Sequence, residues 1–226
     1  MFFLLACIAG ASITAQDIKT ATNLFNEMSA MYADIGDYTA EVTIKIDDVT
    51  MRGNLMYRRP NKIRIDFTAP EKQVIVSDGK MLQVYIPKYD VTLRQSLEAE
   101  SRDPAGGAGM ATVQGLSQLK KGYGIAYKIG PHTIPLDEGT PGGSTEQVYK
   151  LALTWQNQSQ GFRNIELSIS PSKLIRRIDS ITADKKKIRI EYANIRLNVG
   201  LTSNRFDYDA PASSNVYENF LFGTTN

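Results

Sequence analysis

A period of two is the strongest constraint on what this chain can fold into. Tyr38, Ala40, Val42, Ile44 and Ile46 alternate with Thr39, Glu41, Thr43 and Lys45. Ile63, Ile65 and Phe67 alternate with Lys62, Arg64 and Asp66, and Ile188, Ile190 and Tyr192 with Lys187, Arg189 and Glu191. Successive side chains on a strand point to opposite faces, so each run has one apolar face and one wet face. Met51, Gly53, Leu55 and Tyr57 continue the pattern, and Arg59 falls next on the same phase. Further strands are expected at 73–77, 81–86, 124–129, 147–156, 163–169 and 174–182. Asp47-Asp48, Pro60-Asn61, Asp78-Gly79 and Asp184-Lys185 supply turn chemistry between the runs. The result is an antiparallel meander of about ten or eleven strands, with no internal repeat and no linker.

Against these strands stands one clear helix, at 17–34. Asp17 can cap it, Ile18, Ala21, Leu24, Phe25, Met28, Met31 and Tyr32 recur at helical spacing, and Gly36 ends it. Such a helix is roughly 27 Å long and cannot cover ten strands lying side by side. A flat sheet would leave a broad apolar face in water. The expectation is therefore a mainly β fold with a helical lid, a half-open antiparallel β-barrel enclosing a hydrophobic cavity. A sandwich of two packed sheets is the alternative that periodicity leaves open. Residues 102–112, RDPAGGAGMAT, break the pattern and read as a lid segment. Val113 to Lys121 follow as a short amphipathic helix carrying Val113, Leu116 and Leu119, and 131–144 form a polar loop.

Charge excludes several functions. Lys+Arg total 26 against 24 Asp+Glu, a net charge of +2, which argues against nucleic acid as a partner. His132 is the only histidine and Cys7 the only cysteine, so neither a triad nor a metal site is expected, and the chain reads as no enzyme and without cofactor. Met1 to Ile13 is nearly continuous apolar sequence, too short to span a bilayer and suited to a secretory signal. We read 1–15 as a cleaved signal peptide and 16–226 as a single exported domain. Leu4-Leu5-Ala6-Cys7 also has the form of a lipobox, which would leave Cys7 lipidated.

The segments YRRPNKIRIDF (57–67) and PEKQVIVSDGKMLQVYIP (70–87) resemble the LolA family of periplasmic outer-membrane lipoprotein carriers. Asn198 to Leu201, and Arg205 to Pro211, are similar to that family's closing strand. The resemblance implies a half-open barrel whose cavity accepts the acyl chains of lipoproteins. It also implies a monomer in the periplasm that receives acylated lipoproteins from an inner-membrane ABC lipoprotein-releasing transporter and passes them to an outer-membrane acceptor. Arg59 matches the family's Arg-Pro arginine, which points inward and latches the lid by hydrogen bonds. The expected acyl-chain lining is Phe25, Met28, Val42, Ile44, Leu55, Tyr57, Ile63, Ile65 and Phe67; the same residues also serve as ordinary core. The chain departs from the family where Leu82-Gln83 replaces Leu-Trp, in its Gly-rich middle, and at 131–144. A membrane-anchored acceptor and a lipid-binding envelope-stress sensor are the alternatives on the same fold.

Overall fold

The computed structural model describes residues 19–97, 106–156 and 162–218. The expected signal peptide, Cys7, the Asp17 cap and residues 102–105 of the Gly-rich segment lie outside the described residues.

Helix α1 (Ala21–Asp34) starts later than expected, because Thr20 is the cap: its Oγ1 accepts the Asn23 N–H at 3.1 Å. The first meander follows as β1 (Asp37–Ile46), β2 (Val49–Arg58), β3 (Lys62–Ala69), β4 (Glu71–Ser77), β5 (Met81–Ile86) and β6 (Val91–Ser96). A 3-10 turn, Gly106–Ala111, leads into helix α2 (Val113–Gly122), the expected amphipathic helix. The second meander is β7 (Tyr123–Tyr127), a short β8 (Ile134–Pro135), β9 (Gln147–Trp155), β10 (Phe162–Ile169), β11 (Ile175–Thr182) and β12 (Lys187–Leu197). Last comes β13 (Asn215–Glu218).

All of this forms one 13-stranded sheet ordered β13-β6-β5-β4-β3-β2-β1-β12-β11-β10-β9-β7, with β8 paired to β9. The two meanders are joined by β1 and β12, which place Ile44 across from Ile190 and Val42 across from Tyr192. Neither end strand pairs with the other, so the barrel is half-open. The expected count of ten or eleven falls short because β6, β8 and β13 carry little apolar alternation. One pairing also differs: β13 runs parallel to β6.

The inner face carries the core. Leu24, Phe25 and Met28 of α1, Met110 and Ala111 of the 3-10 turn, and Leu116 and Leu119 of α2 pack against Leu55, Ile65, Leu151, Leu167 and Ile178. Gly115 makes the α2 contact possible, since a Cβ there would lie 2.1 Å from the Gly109 carbonyl. The outer face is wet, apart from two straps. Ile134 and Leu136 cover Val148 under the 131–144 loop, and Phe206 packs near Val76 in the C-terminal segment.

Candidate functional site

Alternation places seven of the nine expected lining residues on one face of the sheet, helical spacing places Phe25 and Met28 on α1, and the fold gathers all nine into one cluster. Phe25, Met28, Leu55, Tyr57 and Ile65 are fully enclosed, and Val42, Ile44, Ile63 and Phe67 nearly so. Among the described residues this face is packed rather than hollow, with α1, the 3-10 turn and α2 in the space expected for a cavity. The sheet can bury this face without closing because helical side chains supply the missing partner layer.

Three tyrosines tie that layer to the strands. Tyr38 stacks edge-on against Tyr32 at 6.3 Å and tilted against Tyr57 at 5.1 Å. The Tyr38 hydroxyl donates to the Ala111 carbonyl at 3.0 Å, and Tyr57 donates to the Pro60 carbonyl at 3.2 Å. Tyr32 Oη accepts the Ile175 N–H at 3.1 Å. Burial pushes Tyr32 up to about 12, against the opposing Ile175 hydrogen bond, and pushes Tyr38 well above its ordinary value. Both phenols therefore stay protonated and able to donate at neutral pH. Sequence reading places Tyr38 on the apolar face but misses its bond to Ala111, because a contact across 73 residues leaves no local trace.

Arg59 requires a correction. Its alternation phase predicts an inward side chain, but the β2–β3 ladder ends at Arg58, paired with Lys62, so phase no longer applies one residue later. Arg59 is exposed. Its Nη1 nonetheless donates to the Ala33 carbonyl at 2.6 Å, and its backbone N–H donates to Gly36 O at 2.9 Å. Ala33 lies in the last turn of α1, where carbonyls lack intrahelical partners and the helix dipole favours a cation. The expected helix-end hydrogen bond is present, then, but made from the surface.

One row of side chains crosses the inner face from covered to open. Ala40 pairs with Leu55, Leu55 with Ile65, Ile65 with Ile75, Ile75 with Val84, and Val84 with Leu93. Ala40, Leu55 and Ile65 are buried, whereas Ile75, Val84 and Leu93 are only half-buried. Sequence reading omits the last three from the lining, although Val84 and Ile86 share the phase of Leu82 and could have been added on that ground. Among the described residues no helix is long and apolar enough to cross a membrane.

Comparison with known proteins agrees with this geometry. The family model "Outer membrane lipoprotein carrier protein LolA" matches residues 36–106, which includes β1 to β6. An outer-membrane lipoprotein carrier protein of Bordetella avium is 26% identical over 164 residues, covering 73% of this chain and 69% of that one. One of Chromobacterium violaceum is 28% identical over 214 residues, covering 94% and 90%. Among solved structures, an uncharacterized conserved protein from Thermus thermophilus superposes with a TM-score of 0.55 at 13% identity, over 87% of this chain and 98% of that one. MucB in the Pseudomonas aeruginosa MucA/MucB complex gives 0.51 at 11% identity, over 84% of this chain and 61% of that one. Identities this low speak for the fold alone. The family segment spans the first of the two meanders and the relatives span most of the chain, so this chain is similar, along most of its length, to the outer-membrane lipoprotein carrier proteins.

Proposed function

We propose that this chain is a periplasmic carrier that takes the acyl chains of lipoproteins onto the inner face of its sheet. It would receive them from an inner-membrane ABC transporter and release them to an outer-membrane acceptor. The observation that supports this most is the apolar row running out from under the helices, from Leu55 and Ile65 to Val84 and Leu93. An acyl chain entering at the half-buried end meets apolar surface before any helix has to move.

Magnitudes decide what opens the site. The Arg59–Ala33 hydrogen bond involves a charged donor, roughly 1.5–3 kcal/mol at most, and less at an exposed position. Lifting Leu24, Phe25, Met28 and Tyr32 off the sheet forfeits about 1.5–3 kcal/mol each. Displaced apolar contacts are thus the main cost, and Arg59 trims the balance. A guest gains about 0.8 kcal/mol per buried CH₂, so an acyl chain must replace the helix contacts methylene by methylene. A long chain suffices where a short one does not.

Native mass spectrometry of the exported protein with a triacylated lipoprotein, beside its deacylated form, tests this directly. A stoichiometric complex that needs the acyl chains is expected, and Arg59→Leu should alter retention and delivery to membranes. A protein that ignores the lipoprotein yet retains free lipid would end the carrier reading.

A further inference from the structure

The outer face holds a concavity of about 1010 Å³, on the side of the sheet away from the helix-covered core. Strand register explains its shape. Ala152 and Thr154 of β9 are short, and the strands between the two sides, β10 and β11, contribute Asn164, Glu166 and Asp179 to the floor. Lys128 and Lys150 rise on one side, and Lys45, Lys185 and Lys187 on the other.

Charge is unevenly balanced across it. Glu166 is shared by Lys128 and Lys150, the latter at 3.7 Å, and Asp179 holds Arg189 at 2.6 Å. Arg177 is taken up by Asp137 and Glu191. Lys45 and Lys187 have no ion pair among the described residues, and Lys45 stands directly across from Arg189, like charge beside like. Asp47 and Asp48 at the rim answer only part of this, and Asp47 Oδ1 already accepts the Lys187 N–H at 3.0 Å. Leaving Arg177 aside, six cations face four carboxylates in the lining. That excess of +2 equals the net charge of the entire chain. The rest of the protein is neutral on balance.

We infer that this concavity is a docking groove for an acidic segment of a partner protein. A flat anionic bilayer cannot reach the floor of a depression walled by lysines, and a lone phosphate would leave most of it empty. A protruding acidic chain fills it, with exposed Ile181 in the lining as an apolar contact. Because the groove and the helix-covered core lie on opposite faces of one sheet, a carrier could be docked and loaded at once. Cross-strand charges of this kind set association rate and partner choice more than depth of binding.

The test uses a fluorescein-labelled peptide of alternating glutamate and alanine, its lysine–alanine counterpart, and phosphatidylglycerol vesicles. The acidic peptide should bind the full chain, and the Lys45→Glu/Lys187→Glu variant should weaken that binding by about tenfold or more. Added salt should weaken it as well. An unchanged melting temperature and unchanged acyl loading in the same variant separate this surface from the carrier reading. Lys45→Gln/Lys187→Gln replaces the reversal if the latter fails to fold. Equal binding of the acidic peptide to wild type and variant, no binding to either, equal binding of the basic peptide, or binding to vesicles in place of the peptide would each overturn the inference.

Discussion

Two ends of one row of side chains share a face and a phase but not an environment. At one end Leu55 and Ile65 are wholly enclosed; at the other Val84 and Leu93 are half-open, and beyond them Tyr217 of β13 is 57% exposed. Helix reach accounts for the difference. A helix of 14 residues is roughly 21 Å long, and strands stand about 4.8 Å apart, so α1 crosses only four or five of them. Helix α2 is shorter still. Among the described residues the cover thins along this one row, at Ile75, Val84 and Leu93 of β4 to β6, whereas Ser77, Leu82 and Gln95 in the next inward row of the same strands stay buried. Alternation decides which face is apolar; length decides how much of it stays dry.

The largest effect should come from truncation at the covered end. Leu55→Ala or Ile65→Ala removes a side chain with no route to solvent, and should cost about 2–5 kcal/mol in chemical denaturation. Val84→Ala at the open end should cost less, about 1–2 kcal/mol, because fewer carbons are lost and part of the side chain is already in water. Equal costs at the two ends would break the comparison. Val84→Asn sharpens it further: its stability cost should stay below that of Leu55→Ala, while acyl-chain capture weakens if guests enter there.

The two halves also differ in how their outer faces are strapped. In the second meander Arg177, 8% exposed at its side chain, donates to Asp137, Glu191 and the Leu136 carbonyl. In the first, Arg64, 22% exposed, donates to Asp66 and to the carbonyls of Arg205 and Asp207. Arg177→Ala strands two partly buried carboxylates and should cost roughly 1–3 kcal/mol. Arg64 is itself more exposed and its loss strands one carboxylate, Asp66, so Arg64→Ala should cost about 1 kcal/mol or less. A reversed order in urea midpoints would mean that the C-terminal strap, not the 131–144 loop, braces the sheet.

Much of this is legible in the chain, and the failures share a cause. Strong alternation in 38–46, 62–67 and 187–192 leads to the right strands and faces, and all nine expected lining residues end in one cluster. What escapes has no local pattern. VTLRQS at 91–96 mixes polar and apolar residues, and becomes a strand only because β5 offers it a ladder. Arg59 is assigned inward by a phase that the turn has already ended. The filled inner face is also out of reach. Periodicity reports which side chains face inward, but not whether a helix has moved into the space between them.

Acid offers the finest test, and it acts on the covered half. Asp137 receives the Ser144 N–H at 2.9 Å and the Arg177 guanidinium at 2.6 Å, and these hold its carboxyl below the ordinary value. Its unfolded value is about 3.9. A carboxyl lowered in the folded state contributes its stability in full above the unfolded value, and loses it as pH falls through the folded one. Wild type and Asp137→Asn should therefore differ most near neutrality and converge in acid, as the pH falls below the unfolded value and then through the lowered folded one. The effect is small, because the side chain is partly hydrated and screened. Melting temperatures of both proteins across that range decide it. A gap that stays constant with pH would mean that Asp137 acts through the shape of its turn, and that the charge on Arg177 is answered by Glu191 alone.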